Sequence, residues 1–187
     1  MPNKTGPNKT AETQTEAAEQ TPVHVDHLIA NGELAAENAW CVSYDEDTLP
    51  EQRPAFVPLS LWQANQDDDE LAPLLTSDTE LTAELAKQLG SSAAVAIDFP
   101  AFTDGRGYSI ARLLRERHDY RGEVRAVGDV LVDQLDYMRR CGFNAMALRD
   151  DQHPDDALRA LSFISVRYQP DVEERQALFE RRLGTRD

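Results

Sequence analysis

The chain is poor in cysteine, and its two thiols, Cys41 and Cys141, stand in no CxxC pair or metal-ligand spacing. That pattern argues against a disulfide framework and a cysteine-ligated cluster, and it fits a reducing cytoplasm. No apolar core of a signal peptide is found, and no run is long enough to span a bilayer. Positive charge is scarce too: 19 basic against 34 acidic residues give a formal charge of -15, which repels nucleic acid and anionic membranes. The dinucleotide fingerprint GxGxxG and the phosphate loop GxxxxGK[ST] are both missing. The four histidines are scattered and accompany no nucleophile signature, so no Ser-His-Asp arrangement follows.

What is there fits one domain and a modest extension, since 187 residues fall short of what two independent domains usually need. Residues 1–22 carry a near repeat, Pro2-Asn-Lys-Thr5 and Pro7-Asn-Lys-Thr10, and read as a disordered tail. Residues 23–187 read as a single α/β domain: a small N-terminal β and short-helix element over 23–66, a βα core over 71–168 and a closing helix over 171–183. In the first of these, Asn31-Gly32 is a turn signal between His27–Ala30 and the strand-like run Ala39–Tyr44, and Leu59–Ala64 reads as a short helix. His24 and His27 flank Asp26, and Asp67–Glu70 is an acidic run. Both read better as exposed loop polarity than as metal sites, because no further ligands stand at a recognisable spacing.

From Leu71 onward strand-like and helical patterns alternate with a period of about 25 to 30 residues, the size of a βα unit. Ala72–Leu75 leads into a helix over 78–89, Ala93–Ile97 into one over 107–118, Val124–Val127 into 130–141, and Ala145–Leu148 into 155–166. Gly90, Gly122 and Gly142 are placed to end the first three helices. Four consecutive βα units predict a mainly parallel sheet, because parallel strands need crossover connections. Four units are half of an eight-unit barrel, so an open sheet, a half barrel and a homodimer sharing a barrel all stay open.

Ligands of such folds meet the carboxyl ends of the strands, here Asp98-Phe99-Pro100, Gly128-Asp129 and Arg149-Asp150. The middle of the chain, residues 98–149, holds nine arginines, no lysine and eight carboxylates, and arginine suits bidentate recognition of oxyanions. Intrahelical pairing accounts for several of them: Arg112 with Glu116, Arg115 with Asp119 and Asp136 with Arg140 stand at i,i+4 spacing. In Thr103–Gly107 a capping residue precedes free backbone N–H groups, and Gly105, Arg106 and Gly107 form a candidate anion cradle; a plain capped turn is the equal alternative. Arg125 lies inside an apolar strand, where its charge needs either a ligand or a structural partner, with Asp98 and Asp129 as candidates. If these groups surround a pocket, Arg106, Arg125 and Arg149 hold an anion and Asp98 or Asp129 acts in proton transfer. Cys141 follows two arginines, which would lower its pKa, yet Leu131, Leu135, Met138 and Cys141 recur at helical spacing and place the thiol in the core.

The block Asp98-Phe-Pro-Ala-Phe-Thr-Asp-Gly-Arg-Gly-Tyr-Ser109, with Ala111–Arg117, Tyr120–Asp129 and Arg139-Arg-Cys-Gly-Phe143, resembles a bacterial family of unknown function. The likeness covers about residues 55–170 and includes Pro58-Leu-Ser-Leu-Trp62 and Tyr168-Gln169; His118-Asp119 stands where relatives often show a tyrosine and a glycine. Members are commonly encoded beside sulfite reductase and labelled as oxidoreductases of sulfite reduction, so the resemblance implies a place in sulfur assimilation. Sulfite reduction takes several electrons and a haem, iron–sulfur, flavin or nicotinamide group, and the chain has no recognisable motif for any of them. The expectation is therefore an accessory protein of assimilatory sulfite reduction that has no redox cofactor of its own, with sulfite reductase or another sulfur-assimilation enzyme as partner. A small α/β enzyme of an anionic metabolite and a purely structural interaction module are the alternatives.

Overall fold

The computed structural model describes residues 27–164 and 166–183; the tail expected over 1–22, and His24 and Asp26 with it, lie outside the described residues. Eight strands form one sheet: β1 (Leu28–Ala30), β2 (Glu33–Leu34), β3 (Cys41–Val42), β4 (Ala55–Pro58), β5 (Leu71–Leu75), β6 (Ala94–Phe99), β7 (Glu123–Gly128) and β8 (Ala145–Ala147). Their order is β2-β1-β8-β7-β6-β5-β4-β3. Strands β3 to β8 run parallel in chain order, while β1 lies antiparallel on β8 and β2 antiparallel on β1. The sheet is open at both edges and curls as a half barrel.

This corrects the expectation of four βα units behind a separate β element. The short apolar runs at residues 28–29, 41–42 and 55–57 are buried, and strands of two to four residues are too small to hold a face of their own. They join the main sheet instead: β3 and β4 lengthen its parallel part, and the β1–β2 hairpin adds the opposite edge. Asn31 and Gly32, with φ of 52° and 84°, make the predicted turn. The run 39–44 does not return to β1, however; it supplies β3 at the far edge.

Side-chain alternation divides the sheet into two faces. Val95, Ile97 and Phe99 of β6 point with Val124 and Ala126 of β7 to the outer face. That face packs on helices α1 (Leu59–Ala64), α2 (Ala83–Leu89), α3 (Arg106–Glu116), α4 (Leu135–Cys141) and α5 (Pro154–Phe163) through Trp62, Leu89, Leu114, Met138 and Leu161. Each fully buried Phe or Leu of this layer contributes roughly 1.5–3 kcal/mol. The inner face carries Val42, Phe56, Leu74, Ala94, Ala96, Val127, Ala145 and Ala147, with Ala35 and Trp40 packed on it; the Trp40 and Phe56 rings lie 4.8 Å apart. Small residues in the central strands leave room for the curl.

Helix limits follow local chemistry. Helix α2 starts five residues later than the pattern predicts, because the Thr82 hydroxyl accepts from the Leu85 N–H and caps it there. The segment expected as a helix over 171–183 is helical only at Leu178–Leu183, α6. There the Asp171 carboxylate accepts from the N–H groups of Glu173 and Glu174, a turn that competes with helix. Gly142 ends α4 at φ 107° as expected, whereas α3 ends at Arg117 and the left-handed residue after it is Asp119, φ 51°. Gly122 serves packing: a Cβ there would meet the Ala93 carbonyl at 2.6 Å. No described helix is long and apolar enough to cross a membrane.

Candidate functional site

The loops after β6, β7 and β8 lie at one end of the sheet, and the backbone joins two of them: the Asp129 N–H donates to the Phe99 carbonyl at 2.8 Å. The Asp129 carboxylate then accepts from the Phe102 N–H at 2.8 Å, and Gln134 donates to the Phe102 carbonyl at the same distance. Gly128 makes the approach possible, since at φ 89° a Cβ would lie 2.5 Å from the Phe99 oxygen and 2.8 Å from Asp98 Oδ1.

In the glycine–arginine loop, Arg106 is exposed at the surface and tied to its own loop. Its guanidinium grips Asp104 with two N–H groups, at 2.9 and 2.7 Å, and donates to the Ser77 hydroxyl at 3.0 Å. Ser77, buried at the end of β5, donates in turn to Asp104 at 2.6 Å. Asp104 also accepts from the Arg106 backbone N–H at 3.1 Å, and these bonds hold its carboxyl far below the usual carboxylate range. The two glycines differ in kind. A Cβ at Gly107 would come 2.8 Å from the Phe99 ring, so helix–sheet packing requires that glycine, whereas one at Gly105 would meet only Tyr108, at 3.8 Å. The loop is a capped turn closed by an ion pair.

Arg125 is only 3% exposed and sits on the inner face. Its partners are not Asp98 or Asp129 but Glu123, two residues earlier on the same face, at 2.7 Å, and Asn38, at 2.9 Å. The guanidinium lies over the Phe56 ring, 4.9 Å from its centroid. This is a buried structural pair between the sheet and the segment before β3, set apart from the strand ends.

Asp129 and Arg149 do meet. Arg149 donates to Asp129 and, through two nitrogens at 2.7 Å each, to Asp151. The shared cation holds the Asp151 carboxyl at about 2. The structure thus brings Asp129 and Arg149 together, keeps Gly105, Arg106 and Gly107 with Asp104 and Ser77, and leaves Arg125 with neither group. Among the described residues no group of three or more His, Cys, Asp or Glu is placed to hold a metal, and in the acidic run Asp68 is occupied by Arg53 and by the Glu70 N–H.

Asp98 differs from these carboxylates. It points to the inner face at the end of β6, where burial raises its carboxyl above the ordinary value and a hydrogen bond from Tyr44 offsets part of that rise. The Tyr44 hydroxyl donates to Asp98 Oδ1 at 3.0 Å, reaching over β4 and β5 from the extension of β3. Burial and the neighbouring carboxylate push the phenol well above its usual range. Sequence reading named Asp98 and missed Tyr44. The signal was the alternation through Val42 to Tyr44, which puts the phenol on the inner face; the contact itself depends on sheet curl.

Much of the remaining arginine content is structural. Arg115 does not pair with Asp119; it donates to the backbone carbonyls of Gly142, Tyr120 and Gly122 at 2.9, 2.7 and 2.8 Å and to the Asn144 side chain at 3.1 Å. Arg112 pairs with Glu116 as predicted, but Asp136 takes Arg139 and Arg167, and Arg140 faces Asp171. Cys141 is buried, and that burial raises its thiol pKa despite the neighbouring arginines.

One family model matches the chain, over residues 74–179, and is described as a bacterial protein of unknown function (DUF934). No curated protein and no solved structure matches.

Proposed function

We propose, for a chain that belongs to this bacterial family of unknown function, that it is an accessory protein of assimilatory sulfite reduction and works by contact with a partner enzyme. The observation that carries the contact is the surface of residues 163–183. Phe163 is 88% exposed and Tyr168 72%, and Ile164, Val166, Phe179 and Leu183 are exposed as well. So many large apolar side chains in one short stretch are costly to leave in water and mark an interaction surface. Arg167 ties the stretch to Asp136 of α4, and Arg181 pairs with Glu174 within it. The pathway comes from the resemblance of the 98–143 block to proteins encoded beside sulfite reductase.

The alternative, an enzyme that binds an anionic metabolite through its arginines, has less support. Arg106, Arg125 and Arg149 are each matched by an internal carboxylate, so an anion at any of them would share the guanidinium with Asp104, Glu123 or Asp129. The experiment is affinity capture of the tagged full chain from its native cells growing on sulfate. Recovery of a sulfite reductase component, lost in a Phe163→Asp, Tyr168→Asp variant of unchanged thermal stability, is the expected result. Capture that never includes such a component, or that the variant does not alter, would reject the contact.

A further inference from the structure

Three other acids of the strand-end loops have a cation: Asp104 has Arg106, and Asp129 and Asp151 share Arg149. Asp98 has no ion-pair partner among the described residues; its one side-chain hydrogen bond comes from Tyr44. Because Tyr44 spends its only proton on Asp98 Oδ1, the pair, among the described residues, offers an incoming group lone pairs alone: those of Oδ2 and of the phenolic oxygen. An acceptor-only site selects a ligand that brings N–H donors, and a half-buried carboxylate without a counter-ion selects one that also brings positive charge.

The surroundings agree. One arginine for two aspartates leaves the β7 and β8 ends net negative, and Arg106 is committed to Asp104. Gly128 keeps the backbone bare beside Asp98, where any Cβ would crowd Oδ1 at 2.8 Å. Tyr44 is itself partly open to solvent, so the pair is reachable. We infer that Asp98 and Tyr44, at the inner strand-end mouth of the half barrel, form a binding site for a small ligand bearing a primary ammonium group. This inverts the polarity that the arginine-rich sequence leads one to expect. It stands independently of any partner contact at residues 163–183.

A latch between β3 and β6 is the competing role, and Asp98→Asn separates the two, since asparagine still accepts from the Tyr44 hydroxyl but carries no charge. The test is an amide NMR titration of the full-length protein with methylammonium chloride, against tetramethylammonium chloride and sodium chloride at equal ionic strength. The expected result is a saturable shift at Tyr44, Asp98 and Gly128 with methylammonium, weaker by roughly tenfold or more with tetramethylammonium, which has no N–H to donate. The shift should vanish in Asp98→Asn. Equal shifts from all three salts, or binding retained in the variant, would overturn the assignment. Should Asp98→Asn not fold, the wild-type protein decides: methylammonium binding must be lost on acidification with the same midpoint as the Asp98 carboxyl resonance, and a different midpoint would refute the site.

Discussion

Arg115 and Gly142 are fitted to one another: the guanidinium donates to the Gly142 carbonyl at 2.9 Å, while the Arg115 Cγ lies 2.5 Å from where a Cβ at 142 would stand. The same guanidinium ties the Tyr120 and Gly122 carbonyls and the Asn144 side chain, so one residue of α3 fixes the entry to β7 and the exit from α4. Gly142→Ala should cost about 1–3 kcal/mol, from the steric clash and from strain at φ 107°. Arg115→Met should cost about 3–5 kcal/mol by orphaning several buried acceptors, and Arg115→Lys should recover little of it. Urea unfolding of the three variants checks this; a wild-type midpoint for Arg115→Met would refute the lock.

The two loop glycines provide a sharper contrast. Gly107→Ala should destabilise by about 1–3 kcal/mol because its Cβ meets the Phe99 and Ile97 side chains at 2.8 and 3.1 Å. Gly105→Ala should stay within about 0.5 kcal/mol of wild type. Thermal melts distinguish this packing account from a ligand cradle, which would need both glycines for close approach rather than for stability.

Asp119 holds a left-handed conformation, φ 51°, where the resemblance leads one to expect glycine. Asp119→Gly should therefore be neutral or stabilising by up to about 1 kcal/mol, against the usual loss when glycine is introduced. A clear loss of stability in the same urea assay would count against it.

Asp98 makes a signed prediction in pH. Burial raises its folded-state pKa above that of an ordinary carboxyl, so between the two values the folded chain keeps a proton that the unfolded chain has already lost. Stability from this group falls as pH rises from the unfolded value through the raised one. Asp98→Asn has no such proton, so its stability relative to wild type should grow across that window and then level off. Tyr44→Phe removes the bond that lowers the pKa and should move the Asp98 carboxyl titration further upward. A wild-type-to-variant difference that is flat in pH, or that grows in the wild type's favour, would contradict the assignment.

The sequence made the parallel core readable because its strands are continuous apolar runs separated by amphipathic helices; Ala94–Phe99 and Arg106–Glu116 fall within a few residues of expectation. It did not show where β3 and β4 belong, since two to four buried residues name no neighbour until the whole sheet is assembled. For the site, Asp98, Asp129 and Arg149 were legible as residues at strand ends. Which acid takes which arginine was not. Pairing at i,i+4 predicts Arg115 with Asp119, but the backbone turns the guanidinium toward three carbonyls, and Glu123 reaches Arg125 because residues two apart on a strand share a face. Tyr44 and Ser77 gain their roles only from neighbours 54 and 27 residues away in the chain.

Complementation of a gene deletion on sulfate, sulfite, sulfide and cysteine tests the central claim most directly, with wild type, Arg106→Ala and the Phe163→Asp, Tyr168→Asp variant as the rescuing copies. The account predicts failure of the deletion strain on sulfate and sulfite, rescue by sulfide or cysteine, complementation by Arg106→Ala, and none by the surface variant despite normal protein levels. Normal growth of the deletion strain on every sulfur source, or full rescue by the surface variant, would contradict it.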